Sequence, residues 1–425
     1  LGYTGSIFIG TSLLLMPISH TQVLTYTEAL FTATSALCVT GLSIIPVDTA
    51  LSAIGQGILA LLIQIGGMGV MTLSALLAIM TKHKLSHSNV YFFQSAIDKE
   101  SQAYVILIIQ SIFKLTLTIE AIGACMMAVY FYLSGMPVLP SLGYSLFHAI
   151  SAFCNAGFSL FRTSFIGINA SLLLIISGLV ILGGIGFPVL YNIMAWAIQK
   201  KRVLLTPYSK LVLASTGGLI LLSTLLILGL EWGGALATFS YIDRVIHALF
   251  MAVSSRTAGF NSLDITLFHP ATLLVIIGLM YIGTAPSSTG GGIRITTFLV
   301  MIGTLKQVIA NQTYLTFFYR RVSLKTYQQA LSIAILSVLI IGLSLMILLH
   351  TEHALLLETL FEIVSAFSTT GLSLGLTETL SIYGQYFIII MMIIGRVGAL
   401  SFVIALSVRT KKTELIYPEA SIPVA

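Results

Sequence analysis

Four short stretches hold the residues from which chemistry could come. They read Ser35-Ala36-Leu37-Cys38-Val39-Thr40-Gly41, Ser151-Ala152-Phe153-Cys154-Asn155-Ala156-Gly157, Val253-Ser254-Ser255-Arg256-Thr257-Ala258-Gly259 and Ser365-Ala366-Phe367-Ser368-Thr369-Thr370-Gly371. Their final glycines lie 116, 102 and 112 residues apart by difference of their numbers, and each is followed by Leu42, Phe158, Phe260 or Leu372. No Ser/His, paired-Asp or His-cluster spacing supplies a nucleophile with its base, so an intramembrane enzyme finds no support. His148, His247, His350 and His353 are scattered, and no Cys/His/Glu spacing forms a metal site. What small polar residues ending in glycine do offer is backbone oxygen. Glycine accepts φ > 0, which lets successive carbonyls point one way. Carbonyls can replace an ion's water shell where such a loop enters the membrane and lines a polar cavity. The chemistry expected is coordination of a cation by main-chain oxygen.

The rest of the chain must position these loops. Of 425 residues, 57% are hydrophobic and 8% charged. A soluble domain carries about 25% charged residues, so the composition is that of an integral membrane protein. Apolar runs long enough to span, about 20 residues each, flank every motif: 2–18 and 51–80, 103–133 and 169–198, 208–230 and 270–305, 327–349 and 382–408. Residues 1–16 are apolar without a basic start and read as a membrane helix rather than a cleaved signal. Between the members of each pair lie Tyr26–Leu37, Leu142–Phe153, Ile242–Ser254 and Ala354–Phe367, too short to cross. Each reads as a half-helix entering from outside and followed by the loop, its negative dipole end aimed at the ion path. Phe31, Phe147, Leu249 and Phe361, ten residues before the glycines, read as core packing. The fold class expected is an all-α membrane protein: four helix–pore-loop–helix (M1–P–M2) repeats around one pore with pseudo-fourfold symmetry, and eight transmembrane helices. The boundaries read as 1–81, 103–199, 207–310 and 322–410 for the repeats, with a cytoplasmic tail over 411–425.

A second motif recurs in the second helix of each pair: Gly66-Gly67-Met68-Gly69, Gly183-Gly184-Ile185-Gly186, Gly291-Gly292-Ile293-Arg294 and Gly395-Arg396-Val397-Gly398. The third copy starts 32 residues after its loop glycine (291 − 259), against 25, 26 and 24 for the others. The extra residues lie in Gly283-Thr284-Ala285-Pro286-Ser287-Ser288-Thr289-Gly290, a helix-breaking run inside a span. Non-helical backbone at that depth must face water or protein, so 283–292 is expected in the permeation path, below the ring of loops, as a gate. It is not a phosphate loop, since no Lys follows the glycines.

Charges inside the membrane call for a reason. Arg396 is expected to bond carbonyls or hydroxyls of the gate loop; Arg294 lies in the corresponding turn. Arg256 is expected to point behind its loop toward a carboxylate, with Glu362, Asp264 and Glu378 as candidates. Lys114 and Glu120 read as structural partners of some neighbour, and Cys38, Cys125 and Cys154 as small buried thiols outside any disulfide framework. Of the 20 Lys and Arg, 14 fall in four gaps around 82–99, 200–210, 306–325 and 409–412. The positive-inside rule makes those gaps cytoplasmic, with both termini inside a bacterial cell membrane. Each basic cluster is a short turn, which speaks against nucleic-acid binding and offers a surface to a cytoplasmic partner.

Four such units, loops ending in Gly and a Gly/Ser/Thr run in the third second-helix resemble the superfamily of Ktr, Trk and HKT potassium transporters over nearly the whole chain. Ile63-Gln64-Ile65-Gly66-Gly67, Phe147-His148-Ala149-Ile150-Ser151-Ala152-Phe153, Arg256-Thr257-Ala258-Gly259-Phe260-Asn261-Ser262-Leu263-Asp264 and Ile394-Gly395-Arg396 look most like the membrane subunits of bacterial Ktr systems. The resemblance implies a K⁺ selectivity filter made of the backbone of Val39, Thr40, Gly41, Asn155, Ala156, Gly157, Thr257, Ala258, Gly259, Thr369, Thr370 and Gly371. It implies a homodimer with one pore per protomer and K⁺ uptake dependent on or stimulated by Na⁺. It also implies a cytoplasmic octameric ring of KtrA-like subunits that binds nucleotide, this chain holding no cofactor of its own. In that family glycine at all four filter positions accompanies K⁺ selectivity. A gate loop rich in glycine and containing Pro286 is a departure from the pattern. The alternative reading is a Na⁺-coupled secondary cation transporter with a midplane site; it predicts inverted repeats and intramembrane acids, whereas these repeats run in one direction and Glu120 is the one acid deep in a span.

Overall fold

The computed structural model describes residues 2–69, 102–198, 204–312, 314–318 and 320–398. The tail 411–425, the basic residues of 82–99 and 409–412, and Lys200, Lys201 and Arg202 lie outside the described residues.

Helices dominate. In chain order, single-turn pieces aside, they are α1 (Gly2–Leu14), α2 (Tyr26–Cys38), α3 (Ala53–Met68), α4 (Gln102–Leu133), α5 (Val138–Phe153), α6 (Ala170–Gly184) and α7 (Phe187–Ile198). There follow α8 (Pro207–Glu231), α9 (Tyr241–Ser254), α10 (Pro270–Ile282), α11 (Ile295–Ile309), α12 (Leu324–Glu352), α13 (Leu356–Phe367) and α14 (Ile382–Val397). A two-stranded hairpin, Thr316–Phe317 with Arg320–Arg321, connects α11 to α12. Many helix starts carry local signals. Thr25 and Glu28 form a reciprocal capping box at α2, and Ser52, Thr206, Ser240, Ser323 and Ser381 cap α3, α8, α9, α12 and α14. Such caps satisfy amide donors that the first turn leaves free.

Among the described residues, three helices are long and apolar enough to cross a membrane by themselves: 110–133 of α4, α8 and α12. Leu221, Leu222, Leu225 and Leu226 of α8 are exposed, as expected where lipid and not water is the solvent. The packing order is cyclic. α3 lies against α2 and α5, α6 against α5 and α9, α10 against α13, and α14 against α13 and, closing the circle, α2. The four shorter helices α2, α5, α9 and α13 therefore sit at the centre, with Phe31, Phe153, Phe250 and Phe361 wholly enclosed.

One run departs from its expected form. The apolar stretch 169–198 reads as a single span, but its two halves, α6 and α7, are bent by 104° at Ile185-Gly186. Gly186 has φ +88°, and its equivalents Gly69 and Gly398, at +82° and +91°, likewise end α3 and α14. Apolar composition cannot register a left-handed residue; in the first, second and fourth copies the final glycine of the second motif is what stops the helix.

Candidate functional site: a ring of loops above a broken helix

The four Gly-ended stretches leave the C-termini of α2, α5, α9 and α13 and come together. A Cβ placed on Gly41 would run into the carbonyl of Ala156 and lie 2.9 Å from the Cα of Gly157. One on Gly157 would lie 2.8 Å from the Ala258 oxygen and 3.3 Å from the Cα of Gly259. From Gly259 the neighbours are the Thr370 carbonyl and, at 3.2 Å, the Cα of Gly371; from Gly371 they are the Thr40 carbonyl and, at 3.0 Å, the Cα of Gly41. Each glycine thus abuts the carbonyl preceding the next, and the fourth returns to the first. Any side chain would break the ring.

Backbone angles repeat with the same regularity. Val39, Asn155, Thr257 and Thr369 have φ of 57°, 57°, 76° and 51°, and the glycines two residues on have 93°, 72°, 75° and 93°. The residues between, Thr40, Ala156, Ala258 and Thr370, are not left-handed. Alternation of this kind turns successive carbonyls to one side. Three of the four left-handed non-glycines are β-branched, a conformation that costs on the order of 1–3 kcal/mol each. Strain held at three of four equivalent positions points to a constraint beyond folding.

The motif serines anchor this geometry, a role their spacing alone does not reveal. Ser35 and Ser365 accept hydrogen bonds from the amides of Gly41 and Gly371 at 3.1 and 3.0 Å. Ser151 and Ser254 instead donate to the carbonyls of Phe158 and Phe260 at 2.7 and 2.6 Å. The hydroxyls of Thr40, Ser368, Thr369 and Thr370 are buried with no partner. Unsatisfied buried hydroxyls are uncommon, and four of them cluster at the ring.

In the first, second and fourth copies the first glycine of the second motif has a steric duty. A Cβ on Gly66, Gly183 or Gly395 would collide with the carbonyl of Leu37, Phe153 or Phe367, at the end of the neighbouring short helix. Bare backbone lets α3, α6 and α14 cross directly under those helix ends. In the third unit Gly283 stands at this distance from its loop glycine, 24 residues (283 − 259), and ends α10 at φ +67°.

The run 283–292 then passes beneath the ring. Gly290 packs on the Thr257 side chain, and Gly291 on the Thr369 side chain and the Ser368 carbonyl. Thr289 donates from its hydroxyl to the Phe153 carbonyl at 3.3 Å, and Thr284 and Ser288 join hydroxyls at 2.9 Å. The bend between α6 and α7, with Tyr208 at the start of α8, holds the loop from the side. The amide of Ala285 donates to the Gly184 carbonyl at 3.1 Å, Phe187 N to Ser287 O at 3.1 Å, and Tyr208 Oη to Pro286 O at 3.4 Å. Gly292 has φ +77° and lies against Gly283, so the run leaves and re-enters the helical path almost at one point.

Three arginines fasten it. Arg396 donates to the Thr289 carbonyl and to the Gly66 carbonyl, tying the loop to α3. Arg294 donates from Nη1 to the Gly290 carbonyl, and to Ala285 O and Ser288 Oγ at 3.3 Å. Arg256, expected to face a carboxylate, instead donates from Nε and Nη2 to the Gly283 carbonyl at 3.3 and 3.2 Å. Two of its three candidate partners are engaged elsewhere. Glu362 accepts from Ser373 Oγ at 2.7 Å and from Thr377 Oγ1, while Asp264 accepts from the amide and hydroxyl of Thr266. Glu120 accepts from Gln64 Nε2 at 3.1 Å, with the Cys154 thiol at 3.8 Å. No group of three or more metal-ligating side chains occurs among the described residues.

The fold and the ring define a helical, multi-pass membrane protein whose central feature is convergent main-chain oxygen. The chain belongs to the TrkH family of cation transport proteins, whose model matches residues 4–415; this is a family of transporters, not enzymes. It is 35% identical to Ktr system potassium uptake protein B of Bacillus subtilis, across 99% of this chain and 95% of that one. It is 36% identical to the protein of the same name from Vibrio alginolyticus, across 99% and 93%, and 34% identical to potassium/sodium uptake protein NtpJ of Enterococcus hirae, across 99% and 95%. In three dimensions it resembles the potassium transporter TrkH from Vibrio parahaemolyticus, with a TM-score of 0.78 at 18% identity, covering 95% of this chain and 83% of that one.

Proposed function

We propose that this chain is the membrane subunit of a potassium uptake system and passes K⁺ through one channel-like pore. Four M1–P–M2 repeats supply eight spans in a bacterial cell membrane, with both termini cytoplasmic. The backbone oxygens of 39–41, 155–157, 257–259 and 369–371 take the place of the ion's hydration shell. The loop 283–292, held by Arg396, interrupts the path below them and acts as the gate. The observation that carries this reading is the closed circle of four glycines, each against the carbonyl preceding the next, with a left-handed residue two positions before every one.

In the same reading the subunit is a homodimer, and an octameric cytoplasmic ring of KtrA-like subunits binds the nucleotide that sets the gate. Na⁺ dependence or stimulation belongs here too, in keeping with the relative named for both potassium and sodium. The test is ion flux into liposomes carrying the purified chain. Gly41→Ser or Gly371→Ser is expected to lower K⁺ over Na⁺ discrimination about tenfold or more, the loss of roughly one hydrogen-bond-sized difference in coordination. Unchanged discrimination would remove the carbonyl filter from the account.

A further inference from the structure

Arg256 occupies the third position before a ring glycine, where the other units carry Cys38, Cys154 and Ser368. It is buried within the membrane region, and no acid among the described residues offsets its charge. Its two bonds converge on one acceptor, the carbonyl of Gly283. That residue is the point at which α10 stops and the 283–292 loop begins. If the loop withdraws, Gly283 must change its backbone angles and its carbonyl must leave. A buried guanidinium stripped of its acceptor would be costly, on the order of several kcal/mol, so a moving loop requires a second acceptor within reach of the same side chain.

A buried hydroxyl lines the same cavity as Arg256. A cavity of about 10 Å³, room for a single water, is lined by Arg256 and Thr284 together with Thr216 and Ile220 of α8 and Val180 and Gly184 of α6. The hydroxyl of Thr216 is buried and has no partner. The guanidinium and the unpartnered hydroxyl therefore line the same small void, which gives the side chain a second polar group to turn toward.

We propose that Arg256 is a two-position latch. With the loop beneath the ring it holds the Gly283 carbonyl; with the loop withdrawn it swings across the cavity to the Thr216 hydroxyl. It is a positioning residue, joining the wall of the ring to the hinge of the loop. Thr216 stabilises the conducting state alone, and that makes the proposal sharp. Thr216→Val removes a hydroxyl that is unsatisfied when the loop is in place, a change that is neutral or stabilising for that state. A loss of flux therefore reports the other state.

The inference rests on the gate reading above, and its test separates the two. Rubidium uptake is measured in liposomes carrying the full-length chain. Thr216→Val is expected to lower uptake about tenfold or more, the worth of a hydrogen bond to a charged group, with K⁺ over Na⁺ preference intact, and Thr216→Ser to keep uptake near wild type. In an Arg256→Gln background, or in a chain lacking Thr284–Gly290, Thr216→Val is expected to have no effect. The second background serves should Arg256→Gln fail to insert. Unchanged uptake in Thr216→Val, or an equal fall in either background, overturns the latch. A deletion that raises uptake while Thr216→Val does nothing overturns the latch and leaves the gate standing; a deletion that changes nothing overturns both.

Discussion

The ring and the run beneath it are built on opposite plans. Around the ring the same solution occurs four times, with a left-handed residue, a spacer and a left-handed glycine, each glycine on its neighbour's carbonyl. Beneath it a single unit supplies the run 283–292, and other units hold it: Gly183, Gly184 and Phe187 of the second bond it directly, and Arg396 of the fourth ties it to the Gly66 carbonyl of the first. In the proposed reading, where the ring selects and the run gates, the physical demands differ accordingly. Replacing an ion's water shell requires oxygens on all sides at matched distances, so each quarter must contribute alike. Blocking a path requires one segment that can lie in it or leave it, and four copies would merely collide. Selection is a symmetric problem and obstruction an asymmetric one.

That contrast can be broken by substitution. Equivalent changes in the four ring glycines are expected to be equally severe. Gly157→Ala and Gly259→Ala each put a methyl group onto a neighbouring unit's carbonyl from a left-handed backbone, and K⁺ uptake in liposomes is expected to fall about 100-fold, as overlap and backbone strain of a few kcal/mol would dictate. If one of the four tolerates alanine, the ring is not shared equally. Changes below the ring are expected to act in the reverse direction. Removing Thr284–Gly290 is expected to raise basal uptake roughly tenfold, equivalent to about 1.4 kcal/mol of lost obstruction, and to make it independent of any cytoplasmic partner. Arg396→Gln breaks the bonds to Thr289 and Gly66 while leaving the loop present. A rise of about threefold to tenfold is expected from the loss of one or two charge-assisted bonds, and a fall would place Arg396 on the conducting side of the equilibrium. The smallest effect is expected away from both regions. Glu362→Gln weakens the bonds from Ser373 and Thr377 by about 1 kcal/mol, lowering the melting temperature of the detergent-solubilised protein by a few degrees with ion preference unchanged.

Several features were legible in the sequence for a simple reason: they are local. The short helices Tyr26–Cys38, Val138–Phe153, Tyr241–Ser254 and Leu356–Phe367 end within a residue or so of the expected boundaries, because small polar residues and a glycine stop an apolar helix wherever it lies. The break in the third unit showed as excess length between two glycines. The bend between α6 and α7 did not, because Ile185-Gly186 sits in unbroken apolar composition and its left-handed angle is stabilised by bonds to residues 285–287 from another unit. Nor did the partner of Arg256. A search for opposite charge leads to Glu362 or Asp264, whereas a helix end supplies a free carbonyl that serves a guanidinium as well.

By itself the sequence determined that this is a membrane protein, that four similar loops interrupt it at spacings of 102 to 116 residues, and that one of its second helices must break. Each follows from hydropathy, glycine and residue counts, which do not depend on what lies alongside. Only the tertiary structure decided which carbonyl each glycine abuts, that the fourth unit closes on the first, and what the arginines hold. Arg396 reaches an acceptor 107 residues away and another 330 away. A long side chain with several donors can satisfy them in many places, and the packed chain alone chooses among them.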